Sequence, residues 1–392
     1  METSDVACSN WTDAFLDEMR TVGDPLADDA VTALFASQGT YSVWDLMKTL
    51  VGNDQPPPDK LPRELRGSLE EASRIPPADP TAVEGGQKLF AAHGPEILMV
   101  LAFYSLPASY AAGKGVQVLY RSGYLNNRPN HRLFETTQMV MDVMLPGGLN
   151  AAGRGVRSAQ KVRLMHAAIR HLIVNDPENP WQKGWGLPIN QEDLAGTLMV
   201  FTWLILEGLE KLGIEAGPEE QQGYLETWKV IARLIGIREE LIPADVVQAR
   251  SLCAKIQTRQ VAICPEGKAM TDALLSLTEH KLPPGPLRHW PAALMRHFLP
   301  EKVADGFEIP MHRFDKMLLS RVTELRKKSD PALEAVGPRL WAVREFALLF
   351  MRMLVTAELG GKRTPFILPT TLYHGWAKAH QPSLWEQLTR KI

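Results

Sequence analysis

The chain is poor in cysteine, in charge of one sign and in long apolar runs, and each shortage removes a class of protein. Its 392 residues include 3 cysteines, Cys8, Cys253 and Cys264. They are too few and too scattered for a disulfide framework or a zinc site, so reduced thiols are expected. Lysine and arginine number 43 against 45 aspartates and glutamates, a formal charge of −2. That near balance, with no basic run, leaves no electrostatic case for nucleic acid or for an anionic membrane surface. The longest apolar stretches are residues 97–112, interrupted by Pro107, and residues 198–206. Both fall short of the roughly 20 residues a spanning helix needs, so no transmembrane segment is expected. The N-terminus, METSDVACSNWTDAFLDEMR, has no basic stretch leading into an apolar one and no twin arginine. No export signal is read there, and a cytoplasmic protein is the expectation.

Internal repeats, low-complexity tracts and alternating strand patterns are also missing. What is present is helical. A hydrophobic fraction of 45% with 22% charged residues describes a globular chain long enough to bury a sizeable core. Residues 1–50 read as short helices, with Gly23-Asp24-Pro25 as a turn and Asp24 or Asp28 as an N-cap. Residues 55–80 hold Pro56-Pro57-Pro58, Pro62, Pro76, Pro77 and Pro80 and read as an extended arm with a short helix over 63–74. The arm is not a domain linker, because the piece before it is too small for a core of its own. From Val83 the pattern is uniformly helical. A helix over 95–112 has Pro95 in its first turn and is kinked or ended by Pro107. After a helical turn at 116–122, Pro129 opens a helix over 130–145, which Pro146-Gly147-Gly148 stops before a helix over 158–174. A helix over 191–212 is capped by Asn190, with Asp193 at its third position. Further helices are expected at about 218–236, 243–257, 265–280, 290–299, 312–327 and 331–358. The fold class is all-α, a single large helical domain over 1–392.

Arg163-Leu-Met-His166-Ala-Ala-Ile-Arg170-His171 is where the chemistry concentrates. Arg163, His166 and Arg170 are spaced i, i+3, i+7 and share a helix face, while Leu164, Met165, Ile169 and Leu172 make the helix mostly apolar. Burying two guanidinium groups beside an imidazole requires something negative, or a metal-bearing group, to face them. The plainer reading is a structural histidine with arginine–carboxylate pairs. On the preceding helix Arg132, Glu135, Thr136 and Met139 form a polar stripe, and a connection of about a dozen residues lets the two helices lie antiparallel with these faces opposed. Such a slot suits a flat cofactor held by one imidazole, such as haem. Any helical hairpin can show two polar stripes.

Four stretches in order resemble the rubber oxygenase (latex-clearing protein) family, which also contains the fungal oxygenase that shortens a farnesyl side chain in mycophenolic acid biosynthesis. They are Gly23-Asp-Pro-Leu-Ala-Asp28, Arg132-Leu-Phe-Glu-Thr136, Arg163 to His171, and Pro188-Ile-Asn-Gln-Glu-Asp-Leu-Ala-Gly-Thr197, and the resemblance covers roughly residues 20–260. It implies one non-covalent haem b with its iron in an all-α fold: N-terminal helices and a Pro-rich arm over 1–82, a haem-binding core over 83–260, and C-terminal helices over 261–392. It further implies His166 as the proximal iron ligand, Arg163 and Arg170 as supports of the haem site, Arg132 and Thr136 on the distal side, and Thr197 beside the pocket.

One position departs from the pattern. Rubber-cleaving members carry a lysine immediately before the distal threonine, where this chain has Glu135. An ammonium and a carboxylate over an iron are opposite charges, so the distal chemistry cannot simply be copied. An upstream acidic base has no match in residues 113–123. Glu135 is then either a general base of tunable pKa in an apolar pocket or a structural partner of Arg132 or His131. The function expected is a haem-dependent oxygenase that uses O2 on a hydrophobic, alkene- or isoprenoid-containing small molecule. Two rivals stand beside it: a haem protein that senses or carries without turnover, and a non-haem metal enzyme built on His131, Glu135 and His166.

Overall fold

Helix after helix follows the chain through the described residues. The structure is a computed structural model and describes residues 11–49, 65, 79–121, 129–151, 153–282 and 286–311. The helices are α1 (Asp13–Met19), α2 (Pro25–Thr49), α3 (Pro80–Val100), α4 (Leu106–Tyr110), α5 (Val116–Arg121), α6 (Pro129–Met144), α7 (Arg154–Val174), α8 (Gln191–Phe201), α9 (Trp203–Leu212), α10 (Pro218–Leu234), α11 (Val246–Gln260), α12 (Pro265–Lys281), α13 (Trp290–Phe298) and α14 (Glu301–Gly306). Among the described residues there is no strand, only an isolated antiparallel bridge between Ala112 and Val261. The helices expected at 312–327 and 331–358 lie outside the described residues, as does all of the one expected at 63–74 except Leu65, and so do the side chains of His131 and Arg132.

Two prolines shape the central rod. His93 leaves helical geometry (φ −130, ψ 21) just ahead of Pro95, which therefore begins a fresh turn, as its missing N–H requires. Farther on, Leu101–Ser105 widens into a π turn with the Leu106 N–H reaching the Leu101 carbonyl, immediately before Pro107. The wider turn carries the chain past a residue that cannot donate. By length and composition the rod from Pro80 to Tyr110 could cross a membrane, but 72% of its most apolar window is buried inside the protein. Burial of that kind marks a core helix.

Two boundaries differ from expectation for identifiable reasons. The helix expected over 191–212 is broken at Thr202 (φ −114, ψ −88), whose hydroxyl donates to the Leu198 carbonyl at 2.7 Å. An apolar run on both sides of the break hides it from the periodicity. Helix α7 starts at Arg154, a turn before the expected Ser158, because the Gly148 carbonyl accepts the N–H groups of Gly155 and Val156 at 2.9 and 3.3 Å. Asn190 caps α8 as expected, its side chain accepting the Asp193 N–H at 3.0 Å.

Helix α7 is held from the N-terminal side by charge. Asp24 receives Arg163 through Nε at 2.5 Å and Nη2 at 2.8 Å, and Asp28 pairs with Arg170. The Asp24 and Arg163 side chains are 7% and 11% exposed. Space for these pairs comes from two glycines. A Cβ on Gly236 (φ +84) would sit 2.4 Å from the Asp24 carboxylate, and one on Gly23 2.6 Å from that of Asp28. Around the pairs, Val31, Leu34 and Phe35 of α2 pack on Leu164, Ala168 and Leu172 of α7. His171 stacks on Phe35 with ring centroids 4.5 Å apart, so it faces α2. The plainer reading of the arginines is the one observed.

Arg163→Ala should destabilise the fold by about 3–5 kcal/mol, because a buried aspartate is left without its partner. Chemical denaturation measures it, and Arg163→Met combined with Asp24→Leu should recover much of the loss.

Candidate active site

Helix α7 presents its other edge to a cavity of about 230 Å³. Met165, His166 and Ile169 come from α7, Leu133 and Thr136 from α6, and Ile189 from the segment leading into α8. The largest share of wall is α8 itself, from Glu192 to Phe201, faced by α4, α5 and the C-terminal half of α11. Most of the lining is aliphatic or aromatic, which suits an apolar ligand oriented by a few polar groups. Of its lining residues, Thr197 on α8, Gln257 on α11 and Val261 just after it are exposed.

His166 is the one imidazole among the described residues of that wall. Its Nδ1 atom is buried. Among the described residues, no group of three or more His, Cys, Asp or Glu side chains is arranged to hold a metal ion. A bare ion needs several such donors, whereas a porphyrin brings its own nitrogens and asks the protein for a single axial ligand. The donor set and apolar walls therefore fit a haem. No Lys or Arg is found among the described lining residues.

The other expected residues divide. Thr136 and Thr197 line the cavity, and the Thr197 hydroxyl donates to the Asp193 carbonyl at 2.9 Å. Glu135 is buried at 7% exposure but is not part of the lining, which α6 supplies through Leu133 and Thr136. Arg163 and Arg170 are not in the lining either; their guanidinium groups are committed to Asp24 and Asp28. Any support they give to a cofactor is indirect, through the placement of α7. The Arg132 side chain lies outside the described residues.

Sequence reasoning missed the polar end of the cavity. Glu192 and Asp193 both line it. Glu192, fully buried, accepts from Arg20 at 3.2 Å, Arg259 at 2.7 Å and Gln260 at 2.8 Å. Asp193 accepts from Arg20 at 2.9 Å and from the Asn190 amide at 2.7 Å. Burial pushes the Asp193 carboxyl up against the pull of Arg20. Arg259 continues to Asp13 and Asp17 of α1 at 2.6 and 2.5 Å. Two adjacent acids opening an apolar helix signalled a need for cations, but the cations lie far away in sequence and no local pattern identifies them.

Residues 89–326 match the family model described as ER-bound oxygenase mpaB/B'/Rubber oxygenase, catalytic domain. The chain belongs to this family. It is 28% identical over 349 residues to the rubber oxygenase of Streptomyces sp. (strain K30), covering 84% of this chain and 83% of that one. It also matches a solved structure of latex clearing protein LCP in the closed state, with a TM-score of 0.69 and 25% identity over 85% of this chain and 91% of that chain. The family makes the chain an oxygenase, and the structural match supports an all-α single domain.

Two tests follow from the cavity. Gly196 lies in its wall, and a Cβ there meets only Ile256 Cγ2, at 3.4 Å. Gly196→Leu should keep or raise the melting temperature, since glycine inside a helix costs about 0.5–1 kcal/mol relative to alanine, and it should abolish binding of Nile red. Cys253, also in the wall, is pushed up to about 12 by burial, with Glu207 adding to the rise. A protonated thiol is a poor nucleophile, so peptide mapping after iodoacetamide treatment at pH 8 should find Cys253 unmodified in native protein and modified once unfolded.

Proposed function

We propose that the chain is a haem b-dependent oxygenase acting with O2 on an apolar, alkene-containing substrate, with His166 as the residue that would hold the iron. The observation that carries this is one imidazole among the described lining residues of a largely apolar cavity, in a chain of an oxygenase family. Bound there, the haem would supply the activation of O2. The protein's own residues do the rest. Met165 and Ile169 flank His166 and keep water from the ring, while the apolar walls of α4, α5 and α8 hold the substrate and exclude bulk solvent. Thr136 offers a hydroxyl from the neighbouring helix, and Arg132 shares that helix. Glu135 is assigned as the base for an allylic proton, a role that requires its carboxylate, buried outside the lining next to Thr136, to turn into the cavity. Arg163 and Arg170 act by holding α7, and Thr197 is an exposed residue of the lining.

The relative's name, rubber oxygenase, points to polyisoprene as a starting class of substrate. A small isoprenoid or other apolar alkene suits the same lining.

The visible absorption spectrum of protein expressed with ample haem decides the cofactor. The wild type should show a Soret band that His166→Ala loses or strongly alters, and a colourless wild type would end the haem reading. Oxygen uptake in the presence of isoprenoid alkenes separates an oxygenase from a sensor or carrier. Glu135→Gln should leave the Soret band in place and slow uptake by about 10²–10⁴-fold, the range typical of general base loss; unchanged uptake would give Glu135 a structural role.

A further inference from the structure

Ile189 is one of two non-glycine residues among those described with a positive φ, at 53. A β-branched side chain is badly matched to the left-handed region, where its Cβ crowds the backbone. A glycine or asparagine would make the same turn without that penalty. Nevertheless isoleucine stands there, and it is one of the residues lining the cavity that Met165, His166 and Ile169 also line. It also packs against both apolar cores.

The surrounding bonds leave the backbone no other course. Arg170, itself 5% exposed, donates from Nε to the Pro188 carbonyl at 2.9 Å and from Nη2 to the Ile189 carbonyl at 2.7 Å, with Nη1 on Asp28. Upstream, the Leu187 N–H donates to the Arg20 carbonyl at 2.8 Å, and the Asn190 amide donates to the Leu187 carbonyl at 2.8 Å. Downstream, the Gln191 N–H donates to the Val22 carbonyl at 3.0 Å, and its side-chain amide to the carbonyls of Gly23 and Gly236 at 2.8 and 2.9 Å. Strain of this kind persists only where neighbours over-determine the conformation, and it gathers at functional sites.

We propose that Ile189 is a specificity-determining residue that sets how much branching the cavity admits next to His166, and that Arg170 is the positioning residue that holds it in the left-handed conformation. The proposal rests on the reading of this cavity as the substrate chamber. Its substrate class is the methyl-branched apolar chain, and Ile189 is the wall that limits where a branch can lie.

The test uses the full-length holoprotein and displacement of Nile red by two alkenes of similar length, unbranched dodecene and branched farnesene. Ile189→Ala and Ile189→Gly should both raise the affinity ratio of farnesene to dodecene by roughly tenfold or more, the discrimination an apolar wall gives per methylene-sized change. Ile189→Gly should melt above Ile189→Ala, because only glycine is at ease at this φ. Arg170→Lys loses the fork to Pro188 and Ile189, and should shift the ratio in the same direction with Ile189 intact. An unchanged ratio in both Ile189 variants, with tight displacement in the wild type, would overturn the role of Ile189 and leave the chamber reading standing. A wild type from which neither alkene displaces Nile red would overturn both. Arg170→Lys that melts lower at an unchanged ratio would remove Arg170 from the proposal, and Ala melting at or above Gly would remove the conformational constraint.

Discussion

Two guanidinium groups buried on one helix must meet carboxylates, and much of the molecule is arranged around that requirement. Arg163 and Arg170 of α7 find Asp24 and Asp28 at the start of α2. Each pair stabilises little by itself, since desolvation offsets most of the attraction. Their value is geometric: a misplaced α7 would leave buried charge unmet, so competing packings are strongly disfavoured. The pairs also reach beyond α2. Arg170 carries on to the carbonyls of Pro188 and Ile189, so the segment feeding α8 is tied to the same charges.

The same arrangement decides what α7 offers to the cavity. With both arginines turned to aspartates, His166 is left among Met165 and Ile169 as the polar side chain of that wall. With both guanidinium groups paired to carboxylates, α7 brings less net positive charge to the wall that carries His166. The Gly23-Asp24-Pro25-Leu26-Ala27-Asp28 stretch, whose bearing on His166 is not evident from sequence spacing, thus conditions the electrostatics of the cavity.

Much of this was legible in the residues. The helical class, the cap at Asn190, the proline-bounded start of α6 and the pairing of α6 with α7 all follow from local patterns that reach only a few residues along the chain. The need of Arg163 and Arg170 for negative partners was legible as well, because it depends only on their apolar surroundings. Which partners meet them was not, since Asp24 and Arg163 are 139 residues apart. The break at Thr202 and the dominance of α8 in the cavity wall were hidden for a related reason: apolar residues look alike whether they face a core or a chamber. Glu135 shows the reverse case. Its place on a polar stripe suggested a wall position, yet α6 meets the cavity through Leu133 and Thr136 and buries the carboxylate beside them.

The acidic end of the cavity bears on what can bind there. Glu192 and Asp193 would repel an anionic ligand if they stood alone, but Arg20 and Arg259 lie behind them and cancel most of the field. The cancellation depends on α1, because Arg20 caps its C-terminus and pairs with both acids. Moving α1 would take Arg20 away from Glu192 and Asp193 and return negative charge to a low-dielectric wall, where it acts over a longer range than in water. The N-terminal helix, remote from His166 in sequence, is therefore part of what keeps the cavity neutral enough for apolar contents.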